Sequence, residues 1–465
     1  MINLALVSKC PSVKEVFSQT GYMNFCTDSR LYRHPSAFTA IPGAKVNPLD
    51  VIGDLLKAEC PYVFYQYDAV NVQKVEKLKT QYPKTQFIPV SESITFLQEL
   101  THHHIKEWKA KDARNTVFAI SGSNGKTTHK EMLSSILKEA LPGKIVATEK
   151  NNNNHLGVPL TLLNVTDQTQ MVVLELGSNH PGEIKVLCDI AVPNAGITTN
   201  IGATHLEFFG TEEKVFEEES YLYTAVKNAT EGKGFYLINT DDPYLDRLPS
   251  FDGSIRYGNN PNAEAFVSFS EDGAEINFNG EQLIAKNVFI TGRHNKLNLI
   301  TCLFIATYFY PEFKQPLIEA AKIFRPTKNR SEWIHFEGRS IYLDAYNANP
   351  SSMKAALEGF KESVTTQGFT LNEACVVLGD MYELGELTPV YHKEIGALVQ
   401  ELGFKNVFFV GQFAPYYKQG FPGGHVRNSS LEFKTEYRSK SLKNYPIHFI
   451  KGSRGIKLET LLDIN

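Results

Sequence analysis

A chain of 465 residues with 42% hydrophobic and 21% charged side chains carries enough apolar material for two or three packed domains of an ordinary soluble protein. Its formal net charge of −4 argues against broad attraction to nucleic acid or to a membrane surface. Six cysteines without any C-x-x-C pair exclude a disulfide or zinc frame, the longest apolar stretch (Leu297 to Tyr310) is too short to span a bilayer, and Met1 to Val7 lacks a secretion signal, so a cytoplasmic location is expected.

Residues 1 to 112 alternate short strand-like runs, Pro61 to Gln66 and Gln86 to Val90, with polar helical segments such as Asn71 to Lys79. This reads as a smaller α/β domain. Its one candidate motif, Thr27-Asp28-Ser29-Arg30, suits either a turn or a binding site. His102, His103 and His104 lie in a helical pattern ending near Trp108, where adjacent residues cannot share one face, so no joint metal site is expected.

Residues 113 to 325 read as a mostly parallel sheet covered by helices, with strands at Thr116 to Ile120, Met171 to Leu176, Gly196 to Asn200 and Gly234 to Asn239. After the first of these comes Gly122-Ser123-Asn124-Gly125-Lys126-Thr127-Thr128, and then a helix burying Met132, Leu133, Ile136, Leu137 and Ala140. Strand, glycine loop, Lys-Thr and helix form a phosphate cradle. Backbone N–H groups surround phosphate oxygens, the lysine reaches the β- and γ-phosphates, and the first threonine hydroxyl binds Mg²⁺.

Asn151 to Asn154 suit either a turn or uncharged hydrogen bonding to a ligand. Glu175, at a strand tip, reads as a metal ligand beside the phosphate loop or as a surface carboxylate. His205 reads as a ligand or a loop residue. In the helix after Thr211 the apolar stripe is Val215, Phe216, Leu222, Tyr223 and Val226, and at about 100° per residue Glu219 falls at its centre while Glu217, Glu218 and Ser220 fall off it. An inward carboxylate requires a cation or hydrogen-bond donors. Glu175, His205 and Glu219 around a second Mg²⁺ would supply one. An ion pair from Glu219 to a nearby lysine or arginine is the alternative.

Residues 326 to 465 repeat the strand–helix rhythm at Ser340 to Leu343, Ala374 to Leu378, Asn406 to Val410 and Ile447 to Ile450, a Rossmann-like α/β domain without its own glycine loop. Its polar strand tips, Asp344 to Pro350, Gly379-Asp380-Met381 and Lys451 to Gly455, suggest a substrate face.

Taken together, the motifs resemble one family, the Mur ligases of peptidoglycan synthesis. The matching strings are Gly122 to Thr128, Asn153-Asn154, Gly157 to Leu163, Leu174 to Glu183, Thr199 to Glu207, Gly292 to Asn295, Tyr346 to Pro350, Leu378 to Met381, Glu383 to Glu386 and Lys451 to Arg454. The first 112 residues match only through Asp28-Ser29-Arg30. Asn179-His-Pro-Gly-Glu183 and Tyr346-Asn-Ala-Asn-Pro350 are closest to the member that adds D-alanyl-D-alanine. The resemblance implies three domains, for UDP-substrate, ATP and dipeptide. It implies ATP-dependent amide synthesis with two Mg²⁺, the substrates UDP-MurNAc-tripeptide and D-alanyl-D-alanine, an acyl phosphate on the way, closure of the domains over it, and a monomer.

By position, Thr127 and Glu175 resemble ligands of the first Mg²⁺, with Glu175 and His205 on the second. Asn295, Arg330 and Asp344 resemble nucleotide contacts. Ser29, Arg30, Asn153 and Asn154 would hold the UDP-sugar, and Tyr346, Asn347 and Asn349 would face the reaction. Lys126, His205 and Glu219 are the candidate catalytic groups. The same motifs also admit a sister ligase adding a single amino acid, or a nucleotide-gated binding module without ligation.

The chain departs from the family pattern at Leu343, where another aspartate is usual, at His129, which replaces a third threonine, and at Glu219, which stands where the family has a carbamylated lysine. A glutamate is roughly 3–4 Å shorter than that modified side chain, so the helix must sit closer or a water must bridge. A permanent carboxylate needs no CO₂. Activity is therefore expected to be unchanged when CO₂ is stripped at mildly acidic pH, and a loss that bicarbonate restores would contradict the substitution.

Overall fold

The computed structural model describes residues 1–462, with every side chain but that of Lys440. Three sheets follow one another along the chain. The first contains β1 (Ile2–Asn3), β2 (Tyr22–Cys26), β3 (Ser36–Ala40), β4 (Tyr62–Gln66) and β5 (Gln86–Val90) in that spatial order, parallel except for β1 against β2. Alternation along β4 sends Phe64 to one face and Val63 and Tyr65 to the other, each into its own core.

Helix Ser93–Lys111 leaves this sheet and enters the next domain. Its Phe96 and Leu100 pack in the first core, while Ile105 and Trp108 pack in the second. The three histidines point three ways: His102 to the carbonyl of Asp189, His103 to that of Lys9 and His104 to that of Val165.

The second sheet holds β6 (Thr116–Ser121), β7 (Ile145–Ala147), β8 (Met171–Glu175), β9 (Ala195–Thr198), β10 (Phe235–Asn239), β11 (Ser254–Gly258), β12 (Ala265–Ser270), β13 (Gly273–Phe278) and β14 (Glu281–Lys286). Their order is β14-β13-β12-β11-β10-β9-β6-β8-β7. The strands from β12 to β7 run parallel, and β13 and β14 add an antiparallel edge. That edge is absent from the sequence reading, although Asn279 and Gly280, both at positive φ, make the two-residue turn that such a hairpin favours. Along β6, Phe118 and Ile120 face helices Lys126–Ala140 and Arg293–Phe309, and Val117 and Ala119 face Glu183–Ala191 and Tyr221–Ala229. Strand β6 lies between β8 and β9, so the strand order switches there and opens a crevice at the carboxyl ends.

The helix expected after Thr211 is two helices, Glu212–Glu219 and Tyr221–Ala229, meeting at Ser220. The break alters the helical phase that the sequence reading assumed. Glu219 is buried as expected, but Glu218, read as facing away, is buried too.

The third sheet, β15 (Glu332–Phe336), β16 (Arg339–Asp344), β17 (Ala374–Gly379), β18 (Asn406–Val410), β19 (His425–Arg427) and β20 (Ile447–Lys451), has the order β15-β16-β20-β17-β18-β19 and is parallel beyond β15. Helices Pro350–Thr366, Thr388–Leu402 and Ala414–Gly420 cover one face, and Ser430–Tyr437 covers the other. Among the described residues, no helix is long and apolar enough to cross a membrane.

Two histidines of the third domain are buried neutral. Burial lowers His392 to about 4 and His448 to about 3 from 6.5. The His392 ring accepts the Met381 N–H at 3.1 Å through Nε2, which a proton there would forbid. Between pH 6.5 and 4 the unfolded chain binds more protons than the folded one, so stability falls as pH falls through that window, by about 1.4 kcal/mol per pH unit for each histidine. The urea midpoint of this domain is expected to drop between pH 7 and pH 5, and His392→Gln to flatten part of that slope.

Candidate active site at the phosphate loop

The loop after β6 is held from below by the segment after β9. Ser123 N–H donates to the Asn200 carbonyl at 2.8 Å, Asn124 N–H to Asn200 Oδ1 at 3.1 Å, and Thr199 Oγ1 to the Asn124 carbonyl at 2.6 Å. Gly122, at φ +118°, passes so close to Thr199 that a Cβ would lie 2.3 Å from its Oγ1 and 2.8 Å from its backbone nitrogen. Only glycine fits. Gly125, at φ +81°, then turns the chain into the helix starting at Lys126, whose first N–H groups and positive dipole end face the crevice.

Lys126 lies back over this loop. Its ammonium donates to the Gly122 carbonyl and stands 3.6 Å from Glu219 Oε1, while Glu219 Oε2 accepts the Gly122 N–H at 2.7 Å. Glu219 is 3% exposed and does not line the cleft. The three-ligand ion expected of Glu175, His205 and Glu219 is therefore not the arrangement found. Among the described residues, no three His, Cys, Asp or Glu side chains gather to hold a metal. The ion-pair alternative is realised instead, and its cation is the phosphate-loop lysine.

Glu175 ends β8 at the crevice. Its Oε1 accepts Thr127 Oγ1 and Asn153 Nδ2, each at 3.0 Å, while its buried Oε2 has no partner. A carboxylate oxygen so placed, beside a threonine hydroxyl and a phosphate loop, fits a divalent cation. His205, at φ +51°, sets Nδ1 at 2.7 Å from Glu383 Oε2, an ion-pair distance outside hydrogen-bond geometry, and holds the Glu383 carboxyl below its usual range.

The third domain closes the cleft from the other side. Asn124 Nδ2 donates to Ser351 Oγ at 2.8 Å, and Asn349 Nδ2 donates to Asn124 Oδ1 at 2.6 Å. Asn349 also caps helix Pro350–Thr366. Tyr346 Oη donates to Asn151 Oδ1 at 2.7 Å, and the Arg330 guanidinium stacks 3.8 Å from the Tyr346 ring centre. Asp344 pairs with Lys451, which also donates to the Asn347 carbonyl.

The cleft so enclosed has a volume of about 810 Å³. Ser123 to Thr128, Asn153, Asn154, Glu175 and His205 line it from the middle domain. Asn295 lines it from the same domain, and Arg330, Asp344, Tyr346 and Asn347 line its far side. Ser29 and Arg30 are not in its wall, and no described residue of the first 112 is. Arg30 pairs with Asp28 on the surface. Sequence reasoning assigned no individual contact to Glu383, Ser351, Lys451 or Glu218, although it placed Lys451 among the strand tips of a substrate face. The first three lie in or beside recognised motifs, but their partners are remote in sequence. A larger open hollow, about 1190 Å³, lies between Asn259, Arg293 and helix Pro350–Thr366 and reaches neither Lys126 nor Glu175.

A phosphate loop at a sheet switch point, facing polar strand tips of a second α/β domain, defines a nucleotide-binding α/β protein with its site between domains. Residues 120–306 match the Mur ligase middle domain, and residues 329–420 match the Mur ligase, glutamate ligase domain. A UDP-N-acetylmuramoyl-tripeptide--D-alanyl-D-alanine ligase of Bacillus subtilis is 29% identical over 99% of this chain and 96% of its own. One from Buchnera aphidicola is 30% identical over 77% of each chain. In fold, the chain superposes on MurF from Acinetobacter baumannii with a TM-score of 0.78 at 24% identity, covering 99% of this chain and 97% of that one. It superposes on the Thermotoga maritima MurF ligase in complex with ADP with a TM-score of 0.75 at 23% identity, covering 95% and 96%. The chain belongs to the Mur ligase family.

Gly122→Ala forces a Cβ into the Thr199 backbone at a φ that L-residues disfavour. It is expected to cost about 1–3 kcal/mol of stability and to weaken nucleotide binding at least tenfold, read by titration with an ATP analogue.

Proposed function

We propose that this chain joins D-alanyl-D-alanine to the peptide end of UDP-MurNAc-tripeptide at the expense of ATP, in the synthesis of a cell-wall precursor. The observation that carries the reading is one cleft in which Lys126, the half-satisfied Glu175 carboxylate and the third-domain tips at Asp344 and Tyr346 meet. Residues 1–112 would hold the UDP-substrate, 113–325 the ATP, and 326–465 the dipeptide and part of the nucleotide. Ser29 and Arg30 serve as contacts for the distal, nucleotide-sugar part of an extended substrate. Its peptide carboxylate lies in the cleft near Asn153 and Asn154. ATP and a UDP-linked substrate place the reaction in the cytoplasm, and a single copy, with its three domains, supplies the site.

Phosphoryl transfer from ATP to the tripeptide carboxylate gives an acyl phosphate and ADP. The dipeptide amine attacks that carbonyl and phosphate leaves. Lys126 and the N–H groups at the start of its helix neutralise and orient the phosphates. Asn295, Arg330 and Asp344 orient the nucleoside, and the closed third domain excludes water from the acyl phosphate. Thr127 and Glu175 would hold Mg²⁺, and His205 would serve a second ion. Bound there, the metal supplies charge neutralisation on the transferring phosphoryl group. Glu219 is assigned to the loop and to Lys126 instead.

The test is a coupled ADP assay with UDP-MurNAc-tripeptide carrying either L-lysine or diaminopimelate, with and without D-alanyl-D-alanine. Sustained ADP and phosphate release is expected only with both acceptor and dipeptide, and Lys126→Ala is expected to lower kcat by at least about 10²-fold. Release that follows a free amino acid and ignores the dipeptide would overturn the assignment in favour of a sister ligase. ATP binding with no acceptor-stimulated release would favour a binding module.

A further inference from the structure

Helix Glu212–Glu219 ends on two adjacent carboxylates, Glu218 and Glu219, 8% and 3% exposed. Neighbours on a helix diverge by about 100°, and these two reach different loops of the cleft. Glu219 takes the Gly122 N–H at 2.7 Å and stands against Lys126, and its carbonyl accepts Ser121 Oγ at 2.8 Å. Glu218 takes the Gly182 N–H and the Ile184 N–H, each at 2.7 Å, and Ser178 Oγ at 3.0 Å. It thereby fixes the turn Ser178–Gly182, from which Asn179 and His180 line the cleft, and caps helix Glu183–Ala191. A buried carboxylate that meets only N–H and O–H donors holds them in place, because breaking any one of these hydrogen bonds would leave a desolvated charge short of a donor.

We infer that Glu218 and Glu219 act as a pair of positioning residues, tying the phosphate loop to the Ser178–Gly182 turn so that nucleotide and carboxylate-bearing substrate bind cooperatively. The inference rests on the proposed reaction, in which that carboxylate must meet the γ-phosphate. Ordering of the phosphate loop by nucleotide is passed through Glu219 to the end of the helix, and through Glu218 to the turn. By linkage the effect is reciprocal.

The test measures binding of UDP-MurNAc-tripeptide with and without a non-hydrolysable ATP analogue, and the analogue with and without the UDP-substrate. In the intact protein each ligand is expected to tighten the other by the same factor, at least about fivefold. Glu218→Gln is expected to bring that factor close to one while each ligand's own affinity changes less than about threefold. Ser178→Ala, which removes one of the three hydrogen bonds to Glu218, gives a milder loss and serves if Glu218→Gln does not fold. A merely structural role would weaken both affinities or the melting temperature and leave the factor intact. That result, or an unchanged factor in both variants, overturns the inference. A native chain that binds both ligands independently also overturns it and leaves the functional reading standing, whereas one that binds ATP analogue but no UDP-MurNAc-tripeptide overturns the functional reading and the inference with it.

Discussion

The close backbone approach at the centre of the molecule, Gly122 against Thr199, sets the rest of the site. The first N–H groups of this loop, those of Gly122, Ser123 and Asn124, turn inward and need acceptors in the protein, which leaves the N–H groups at the start of the following helix to face a ligand. Here the segment Thr199–Asn200 provides most of those acceptors, and Glu219 provides the one that lies deepest, at the Gly122 N–H. The lysine that would meet the γ-phosphate shares that carboxylate. Charge inside the loop is thus balanced by the protein itself, through an ion pair of 3.6 Å.

The way the third domain meets this loop differs in kind from the way each domain is built. Within domains, strands and helices meet through cores of valine, isoleucine, leucine and phenylalanine. Across the cleft, the contacts at the loop are amide to amide and hydroxyl to amide, Asn124 with Asn349 and Ser351 and Tyr346 with Asn151, together with the His205–Glu383 pair. Water replaces such contacts at small net cost, so this boundary is expected to open more readily than the apolar cores on either side.

Much of this was legible in the sequence because it is local. The strand preceding Gly122, the amphipathic helix after Lys126 and the carboxylate at the end of β8 each follow from short-range periodicity, and the burial of Glu219 followed from a helical stripe. What was not legible depends on partners far along the chain. The stripe assigned Glu219 no particular cation, and the choice of Lys126 emerges only once β6 and β9 lie side by side. Glu218 was misread because the helix breaks at Ser220, a break the apolar spacing does not announce. The β13–β14 edge escaped because its few apolar residues do not all face inward, with Ile284 turned to solvent. Ser29 and Arg30 resemble a substrate motif, but their distance from the cleft is a matter of domain placement that no local pattern encodes.

Helix Ser93–Lys111 carries a mechanical consequence. Because one rod is gripped at its first half by the N-terminal core and at its second by the middle core, pivoting those two bodies would strip Phe96 or Trp108 out of its packing. A hinge between those two bodies is therefore disfavoured. The connection to the third body runs instead through a short stretch where Asn329 and Ser331 both take left-handed torsions and no long element spans the gap. Any hinge in this molecule is therefore expected at residues 329–331, where the third body joins the other two.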